Sequence, residues 1–254
     1  MQLDGKRVLI TGAGSGIGRA LACQGAERGM VIALAGRRPE KLQETLKLLP
    51  GAGHFIIPAD VTSADNRAIL ADRLASAWGH LDILVNNAGL VPGGPLGELT
   101  NEDLHAALAT NLLAPIALAR DMLTLMQASK GARIINVGSL LGDIPYPLFA
   151  TYSASKAGLG GFSIALRREL APLGIGVTHA APRATQTEAA KPFETLAEPF
   201  EMKFDRPETV ARAIWNAAER DADTVYPAGL ERLFVFVQRI FPHLVDRSVA
   251  KQLS

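Results

Sequence analysis

The chain of 254 residues contains 26 Lys and Arg against 25 Asp and Glu, so its formal net charge is +1. Apolar residues make up 48% of the chain and charged residues 20%, a balance that excludes an intrinsically disordered protein. The nearly neutral charge argues against nucleic-acid binding, because nucleic-acid-binding proteins carry a basic surface.

Cys23 is the only cysteine of the chain, so the sequence excludes an intrachain disulfide and a CxxC metal or redox site, and we expect no metal centre. A lone thiol fits a reducing compartment, and we expect a cytoplasmic protein. The first apolar run follows Asp4, Lys6 and Arg7, which is not the pattern of a signal peptide. Because no apolar run is long enough to cross a bilayer, the sequence predicts no transmembrane helix.

Short apolar segments, typical of strands buried on both faces, alternate along the chain with segments of helical length. The predicted strands are residues 7–10, 31–34, 54–57, 81–85, 133–137, 176–180 and 224–226. The predicted helices are residues 16–28, 39–49, 63–78, 101–128, 151–171 and 207–220. Pro115 interrupts the fourth helix, which we expect to kink or split there. Because strands that alternate with helices form right-handed crossovers, we predict an α/β fold, a Rossmann-type doubly wound parallel sheet of about seven strands with helices on both faces.

No linker, low-complexity tract or internal repeat divides the sequence. We therefore expect a single domain over residues 1–254, since α/β domains often reach about 250 residues. Residues 187–205 depart from the alternation and follow the sixth strand, where a lid over a substrate site would lie. The large apolar residues of this segment are Phe193, Phe200, Met202 and Phe204.

The C-terminal tail, residues 229–254, combines the apolar run 233–237 with four basic residues. These are Arg232, Arg239, Arg247 and Lys251. One interpretation is a helix packed on the domain or on a second subunit, because an apolar surface of this size is usually buried. A second is an amphipathic helix that makes peripheral contact with a membrane, with the basic residues on anionic lipid and the aromatic residues in the acyl boundary. A third is disorder.

The first predicted strand leads into a glycine-rich segment that opens the first helix. Its glycines follow the spacing G-x-x-x-G-x-G, with Gly12, Gly16 and Gly18, whereas the common G-x-G-x-x-G fingerprint is not met. Glycines let the backbone turn tightly and approach a pyrophosphate, which binds to the free N–H groups at the helix N-terminus. The alternative is an ordinary glycine-rich turn. The position between the first strand and the first helix favours a dinucleotide-binding loop.

The residues after the second strand indicate which dinucleotide is bound. An NAD site usually carries Asp or Glu at this point. Here the strand ends at Gly36 and is followed by Arg37 and Arg38, with no acidic residue before Glu40. Guanidinium groups bind a 2′-phosphate bidentately, so we predict NADP(H) rather than NAD(H). The alternative is that both arginines are solvated loop charges.

Tyr152 and Lys156 are four residues apart on a predicted helix and therefore share a face. A nearby ammonium lowers the pKa of a tyrosine from its ordinary value of about 10 and lets the side chain act as an acid or base near neutral pH. Ser139 follows a predicted strand at the edge where open α/β sheets bind ligands, so its hydroxyl is placed to bind a substrate carbonyl. Alone, the Y-x-x-x-K pattern is more often a surface pair.

Taken together, the motifs resemble those of the short-chain dehydrogenases/reductases over roughly residues 6–187. They occur in the order of that family: TGxxxGxG at residues 11–18, an acidic pair at Asp60-Val61, NNAG at residues 86–89, a helix asparagine at Asn111, a serine at Ser139 and YxASK at residues 152–156. Asp60 has an alternative role as the cap of the helix that begins near Ser63.

The resemblance implies a catalytic tetrad of Asn111, Ser139, Tyr152 and Lys156. Tyr152 would exchange a proton with the carbonyl or alcohol oxygen, Lys156 would lower the pKa of Tyr152 and bind the nicotinamide ribose, and Ser139 would orient the carbonyl. Asn111 would hold a water that relays protons to Lys156. The implied cofactor contacts are Gly12, Ser15, Gly16, Ile17, Gly18, Arg37, Arg38, Asp60, Val61, Asn87, Ala88, Gly89, Tyr152, Lys156, Pro182 and Thr187.

The chain departs from the family pattern at two places. The Pro-Gly-x-x-x-Thr pattern after the sixth strand is present as Pro182 to Thr187, but Arg183 replaces the glycine. We expect Arg183 to point to solvent or to meet an anionic group of the substrate. The family's common C-terminal ending is also missing, which leaves a homodimer and a homotetramer as expected assemblies.

Apolar residues flank the predicted catalytic positions at 90–92, 140–141 and 145–149. An apolar lining favours a hydrophobic ketone, aldehyde or alcohol, including a lipid-like one. The sequence therefore predicts an NADP(H)-dependent oxidoreductase acting on a carbonyl or alcohol. The alternative is a cofactor-binding regulatory or scaffold protein with little turnover, which would not need all four residues of the tetrad.

Overall fold

A computed structural model describes residues 1–188, 190, 196 and 203–250 of the chain. In this part the strands are β1 (Arg7–Thr11), β2 (Val31–Gly36), β3 (Phe55–Pro58), β4 (Ile83–Asn86), β5 (Arg133–Val137), β6 (Gly176–Ala180) and β7 (Thr224–Val225). They pair in parallel in the order β3-β2-β1-β4-β5-β6-β7. The predicted doubly wound sheet of seven strands is confirmed.

The strand order reverses between β1 and β4, and this reversal places the site. Strands β2 and β3 follow one another on one side of β1, and β4 to β7 follow one another on its other side. Connections on the two sides of the reversal diverge and leave a crevice at the carboxyl ends of the strands. Thr11 at the end of β1 and Asn86 at the end of β4 border that crevice.

Helices cover both faces of the sheet. They are α1 (Gly16–Glu27), α2 (Pro39–Leu46), α3 (Ala64–Trp78), α4 (Asn101–Leu108), α5 (Ala114–Asp121), α6 (Leu123–Gln127), α7 (Ala150–Leu170), α8 (Pro207–Glu219), α9 (Glu231–Ile240) and α10 (Pro242–Ala250). Successive residues of β1 serve opposite cores: Ile10 packs in the core that holds Trp215 of α8, and Leu9 in the core that holds Leu70 of α3. Burial on both faces explains the continuous apolar strands of the sequence.

The predicted helix 101–128 is divided, as expected from Pro115. A π-helical turn, Ala109–Leu113, separates α4 from α5, and α6 follows as a further short helix. Proline has no N–H, so Pro115 cannot donate to the carbonyl of residue 111 and the turn widens. The widened turn contains Asn111, which is 1% exposed.

The two segments outside the βα alternation are only partly described. Phe193, Phe200 and Met202 of the predicted lid lie outside the described residues, whereas both stems of that segment are visible. Thr185 and Asp205 pair as an isolated parallel bridge between the stems. The tail forms α9 and α10, so its described part is helical. Within the described residues no helix is both long and apolar enough to cross a bilayer.

Candidate active site

The carboxyl ends of the central strands open into a cleft of about 1010 Å³. Among the predicted site residues, its lining includes Gly12, Ser15, Gly16, Ile17, Arg37, Arg38, Asp60, Val61, Asn87, Ala88, Gly89, Ser139, Tyr152, Lys156, Pro182 and Thr187. Gly18 and Asn111 do not line the cleft and lie directly behind it. The fold therefore brings the glycine loop and the Ser139–Tyr152–Lys156 group to one cavity.

The glycine loop is shaped to expose the N-terminus of α1. Gly12 and Gly16 have φ values of +65° and +51°, in the left-handed region that favours glycine. A side chain at Gly18 would collide with the Gly12 carbonyl, so the loop packs on the helix through bare backbone. Ser15, the N-cap residue, makes no side-chain capping bond, and the first N–H groups of a helix have no partner within the helix. This cradle fits a phosphate of a dinucleotide.

Thr11 fixes the segment opposite the glycine loop. Its Oγ1 accepts hydrogen bonds from the backbone N–H groups of Asn87 and Ala88, each at 3.0 Å. The side-chain amide of Asn87 donates to the Thr11 carbonyl at 2.9 Å and to the Gly12 carbonyl at 3.3 Å. These bonds tie the end of β1 to the segment after β4 and hold the two walls of the crevice at a set distance.

The far end of the cleft, beside β2 and β3, carries two arginines. Arg37 and Arg38 are exposed there, and Arg38 Nη2 donates to Ser15 Oγ at 3.3 Å and to Glu188 Oε2 at 3.2 Å. Burial raises the pKa of Asp60, but hydrogen bonds from Thr62 and the charge of Arg37 outweigh burial, so the net direction is downward. A guanidinium next to the phosphate cradle fits an additional phosphate group.

Asp60 does not cap α3, so the alternative role considered for it is wrong. Ser63 is the cap, and its Oγ accepts from the N–H of Asn66 at 3.3 Å. Asp60 instead accepts from the N–H and the hydroxyl of Thr62, at 2.9 and 2.7 Å. This local turn leaves the carboxylate at the edge of the cleft, within reach of the charge of Arg37.

Asn111 is held by both ends of its amide group. Its Oδ1 accepts from the N–H of Leu90 at 2.8 Å, and its Nδ2 donates to the Leu90 carbonyl at 2.8 Å and to Ser155 Oγ at 3.2 Å. A side chain at Gly89 would lie 3.3 Å from Asn111 Oδ1 and 3.7 Å from Lys156 Nζ. Gly89 therefore lies between Asn111 and Lys156, and a side chain there would be packed most tightly against the Asn111 amide oxygen.

Ser139, Tyr152 and Lys156 come together where β5 ends against α7. Ser139 Oγ is hydrogen-bonded to the Tyr152 hydroxyl and accepts from the N–H of Leu141 at 3.2 Å. Lys156 is 5% exposed, and its Nζ donates to the Val137 carbonyl at 2.9 Å. Burial lowers the pKa of Lys156 to about 8, because loss of hydration destabilises the charged ammonium relative to the neutral amine.

The sequence predicts a lowered pKa for Tyr152, and the structure shows the opposite direction. Burial raises the pKa of this tyrosine, and the hydrogen bond from Ser139 lowers it by less. The ammonium of Lys156 lies 5.8 Å from the centre of the Tyr152 ring, with its hydrogen bond directed to Val137. Desolvation of the phenolate therefore outweighs the hydrogen bond from Ser139.

Arg183 does not point to solvent, which was one of its two predicted environments. Its Nε lies 3.0 Å from Asp205 Oδ2, its Nη1 lies 2.7 Å from Glu231 Oε1, and its Nη2 donates to the Ala228 carbonyl at 2.8 Å. The side chain lines the cleft, is 19% exposed and is paired with these two carboxylates. The two acidic partners of the guanidinium lie on segments that are distant in sequence from Arg183 and from each other.

Four residues of the tail also line the cleft, which the sequence did not predict. They are Gly229, Leu230, Glu231 and Phe234, at or just before the beginning of α9. The apolar run 233–237 favoured a helix in the tail, with disorder left open, but carried no signal for the surface on which the helix packs. The contact partner of Glu231 is Arg183, the residue that departs from the expected glycine.

The chain is similar to known proteins in both sequence and fold. Residues 6–196 match the family model described as short chain dehydrogenase. The chain is 32% identical over 228 residues to the 3-oxoacyl-[acyl-carrier-protein] reductase FabG of Vibrio cholerae, covering 87% of this chain and 93% of that protein. A short-chain dehydrogenase/reductase structure from Burkholderia phymatum in complex with NAD superposes with a TM-score of 0.89 at 25% identity, over 96% of each chain. A short-chain dehydrogenase structure from Burkholderia cenocepacia in complex with NADP gives 0.80 at 31% identity, over 89% of this chain and 97% of that chain.

Proposed function

The chain belongs to the short-chain dehydrogenase family of oxidoreductases, and from that premise we propose that it interconverts a carbonyl and an alcohol on a hydrophobic small molecule with NADP(H). The observation that carries the proposal is the meeting of Ser139, Tyr152 and Lys156 in the cleft that also holds the glycine cradle. A proton-transfer group, a carbonyl-binding hydroxyl and a phosphate-binding helix terminus then lie on one cavity.

The residues of the chain supply the proton and the orientation. A bound nicotinamide supplies or accepts the hydride. Because burial raises the pKa of Tyr152, its phenol is protonated at neutral pH and donates to a carbonyl oxygen that the Ser139 hydroxyl holds. The charge of Lys156 stabilises the phenolate that remains. The resemblance also implies a proton relay to Lys156 through a water at Asn111; the hydrogen bonds of the Asn111 amide to Leu90 and Ser155 fix the position of this residue behind the cleft.

The alternative is a cofactor-binding regulatory or scaffold protein with little turnover. Such a protein has no use for a buried ammonium next to a half-buried tyrosine, because the desolvated charge costs folding free energy without a catalytic return. The test is NADPH oxidation by the purified protein with ketones, quinones, 3-oxoacyl thioesters and steroids. Turnover with any of these classes supports the proposal, whereas NADPH binding without turnover of any of them supports the alternative.

The cofactor preference is expected to depend on Arg37 and Arg38. Replacing both by Ala removes the charges beside Ser15 that would bind a 2′-phosphate, and we expect the KM for NADPH to rise by about 10- to 100-fold because hydrogen bonds to charged groups contribute about 1.5–3 kcal/mol. The KM for NADH should change by less than about 2-fold, since NADH lacks that phosphate. Steady-state kinetics with both cofactors measures the difference.

Lys47→Ala is the matched control for the arginine variant. Lys47 is an exposed cation at the end of the helix that follows Arg38, and it does not line the cleft. Its removal changes the net charge in the same direction without touching the site. A wild type that prefers NADH, or an arginine variant that behaves like the control, would contradict the NADP(H) assignment.

The outward face of α9 and its continuation support a homodimer. Val235 packs on the domain, whereas five large apolar side chains on the other side are 47% to 59% exposed: Leu233, Phe236, Ile240, Phe241 and Leu244. A contiguous apolar patch on a protein surface is usually covered by a partner. We propose a second copy of this chain rather than anionic lipid, because the described charges around the patch nearly cancel. Arg239 is bound to Asp143 at 2.9 Å, and a lipid-binding helix needs a surplus of free cations.

Phe236→Glu is expected to convert the dimer to a monomer. A carboxylate in an apolar interface loses its hydration without gaining a partner, so we expect the dimer dissociation constant to rise by at least about 100-fold. Ile69→Glu is the control, because Ile69 is 56% exposed on α3, away from the tail. Analytical ultracentrifugation gives the mass. A monomeric wild type that floats with phosphatidylserine vesicles would replace the dimer by the membrane interpretation.

A further inference from the structure

Helix α9 forms one wall of the cleft at its catalytic end. Phe234 and Leu230 line the cleft together with Leu141, Tyr146 and Phe149, which lie on the segment between Ser139 and α7. Apolar side chains from two distant parts of the chain thus face the same space. Phe234 is still 52% exposed and Leu230 is 62% exposed, so this apolar lining continues from the interior of the cleft to the molecular surface.

The N-terminus of α9 is fixed by Arg183. The guanidinium binds Glu231 in the first turn of α9, Asp205 on the returning stem of the segment after β6, and the Ala228 carbonyl before the helix. Glu231 is 15% exposed and Arg183 is 19% exposed, so the pair is shielded from solvent and is screened less than a surface ion pair. Several charge-assisted contacts on one planar group set both position and orientation.

The C-terminal end of α9 is fixed by Asp143. Arg239 Nη2 lies 2.9 Å from Asp143 Oδ1, and the hydroxyl of Tyr226 donates to Asp143 Oδ2 at 3.2 Å. Asp143 ends the short helical turn that begins directly after Ser139. The segment carrying Ser139 and the segment carrying Arg183 are themselves joined, because the N–H of Leu140 donates to the Pro182 carbonyl at 2.8 Å.

These contacts close a ring that runs from α9 through Arg183 and Pro182 to the turn after Ser139, and back through Asp143 to α9. The position of Phe234 is therefore set relative to the hydroxyl that would bind the substrate carbonyl. A wall that is held in place before binding loses little entropy when a ligand is ordered against it. Polar ligands gain little from such a wall, whereas an apolar chain gains with every group it buries.

We propose that α9 is a substrate-binding wall, that Phe234 determines a preference for carbonyl compounds with a long apolar chain, and that Arg183 is a positioning residue for this wall. The inference rests on the proposed oxidoreductase function and adds the substrate class. The carbonyl binds at Ser139 and Tyr152, and the chain runs past Phe234 towards Leu230 at the surface. A chain longer than the cleft can leave it along this apolar route, so length is not limited by the cavity volume.

The test compares butanal, octanal and dodecanal, and the matching methyl ketones, as substrates with NADPH. In the wild type kcat/KM rises with chain length. Phe234→Ala lowers the ratio of kcat/KM for octanal to that for butanal by about 10- to 100-fold, the loss expected for the contact area of one phenyl ring. Phe236→Ala is the matched control, because this phenylalanine lies on the same helix, is 59% exposed and does not line the cleft; it leaves the ratio within about 2-fold.

Arg183→Gly tests whether the contacts of Arg183 hold α9 in place. The variant raises the KM for dodecanal by about 10-fold through loss of the ordered wall, whereas kcat at saturating substrate falls far less; Arg183→Lys, which keeps the charge but not the forked geometry, gives an intermediate KM. A variant that had simply lost folding stability would show a lower melting temperature, and its kcat would fall for every chain length. If kcat/KM of the wild type does not depend on chain length, the inference is overturned. It is also overturned if Phe234→Ala and Phe236→Ala change the octanal-to-butanal ratio of kcat/KM equally. Neither result affects the proposed function. Absence of turnover with every chain length also overturns the inference, whereas the proposed function is overturned only if the quinones, 3-oxoacyl thioesters and steroids are not turned over either.

Discussion

Replacing Tyr152 by Phe is expected to lower kcat by about 10²- to 10⁴-fold, the contribution of a positioned general acid or base. The substitution removes only the hydroxyl that is hydrogen-bonded to Ser139 Oγ. The ring and its packing on α7 remain, and so does the glycine cradle at the other end of the cleft. The dissociation constant for NADPH, measured by fluorescence titration, should therefore change by less than about 3-fold.

Tyr146→Phe is the matched control for this experiment. Tyr146 lines the same cleft and its pKa is likewise raised by burial, so the control removes a second buried hydroxyl outside the predicted tetrad. It should keep kcat within about 5-fold of the wild type. Equal losses in the two variants would show that any cleft hydroxyl serves, and unchanged turnover in Tyr152→Phe would remove this residue from the proposed mechanism.

The sheet could be predicted from the sequence because its signal is local and repeated. Residues 133–137 and 176–180 were placed as strands with the bounds that the structure has, since strands buried on both faces are continuously apolar. The division of residues 101–128 was also predictable, because the missing N–H of Pro115 acts on its own helix. The glycine loop and the serine after β5 were located by the same reasoning, from their position relative to these elements.

What the sequence could not provide depends on contacts between distant segments. The partners of Arg183 are Asp205 and Glu231, and no spacing rule relates these positions. Lys156 Nζ is bound to the Val137 carbonyl of the neighbouring strand, and burial raises the pKa of Tyr152. Helix spacing alone reveals neither. Phe234 lines the cleft only because the C-terminal tail packs beside the cleft. Local motifs therefore identified the residues of the site, whereas contacts between distant segments set the pKa values of these residues and the shape of the cleft.

Lys156→Met is expected to abolish turnover and at the same time to stabilise the folded protein near neutral pH. The pKa of Lys156 is lowered to about 8 by burial, against about 10.4 for an unfolded chain. Below pH 8 the folded protein must therefore keep a desolvated ammonium, which costs about 3 kcal/mol. Methionine has a similar volume and no charge. It leaves the Val137 carbonyl without its donor at a cost of about 1–2 kcal/mol, so the net gain should be about 1–2 kcal/mol.

The pH dependence identifies the cause of this gain. Between pH 8 and about 10.4 the unfolded wild type binds more protons than the folded one, so the stability of the wild type rises with pH over this interval. The methionine variant lacks this contribution, and its advantage should shrink steadily towards pH 10. Urea unfolding of both proteins at pH 6.5, 8 and 9.5 measures the difference. A variant that is less stable than the wild type by the same amount at every pH would mean that Lys156 stabilises the fold, and the buried ammonium could then no longer be explained as a cost retained for catalysis.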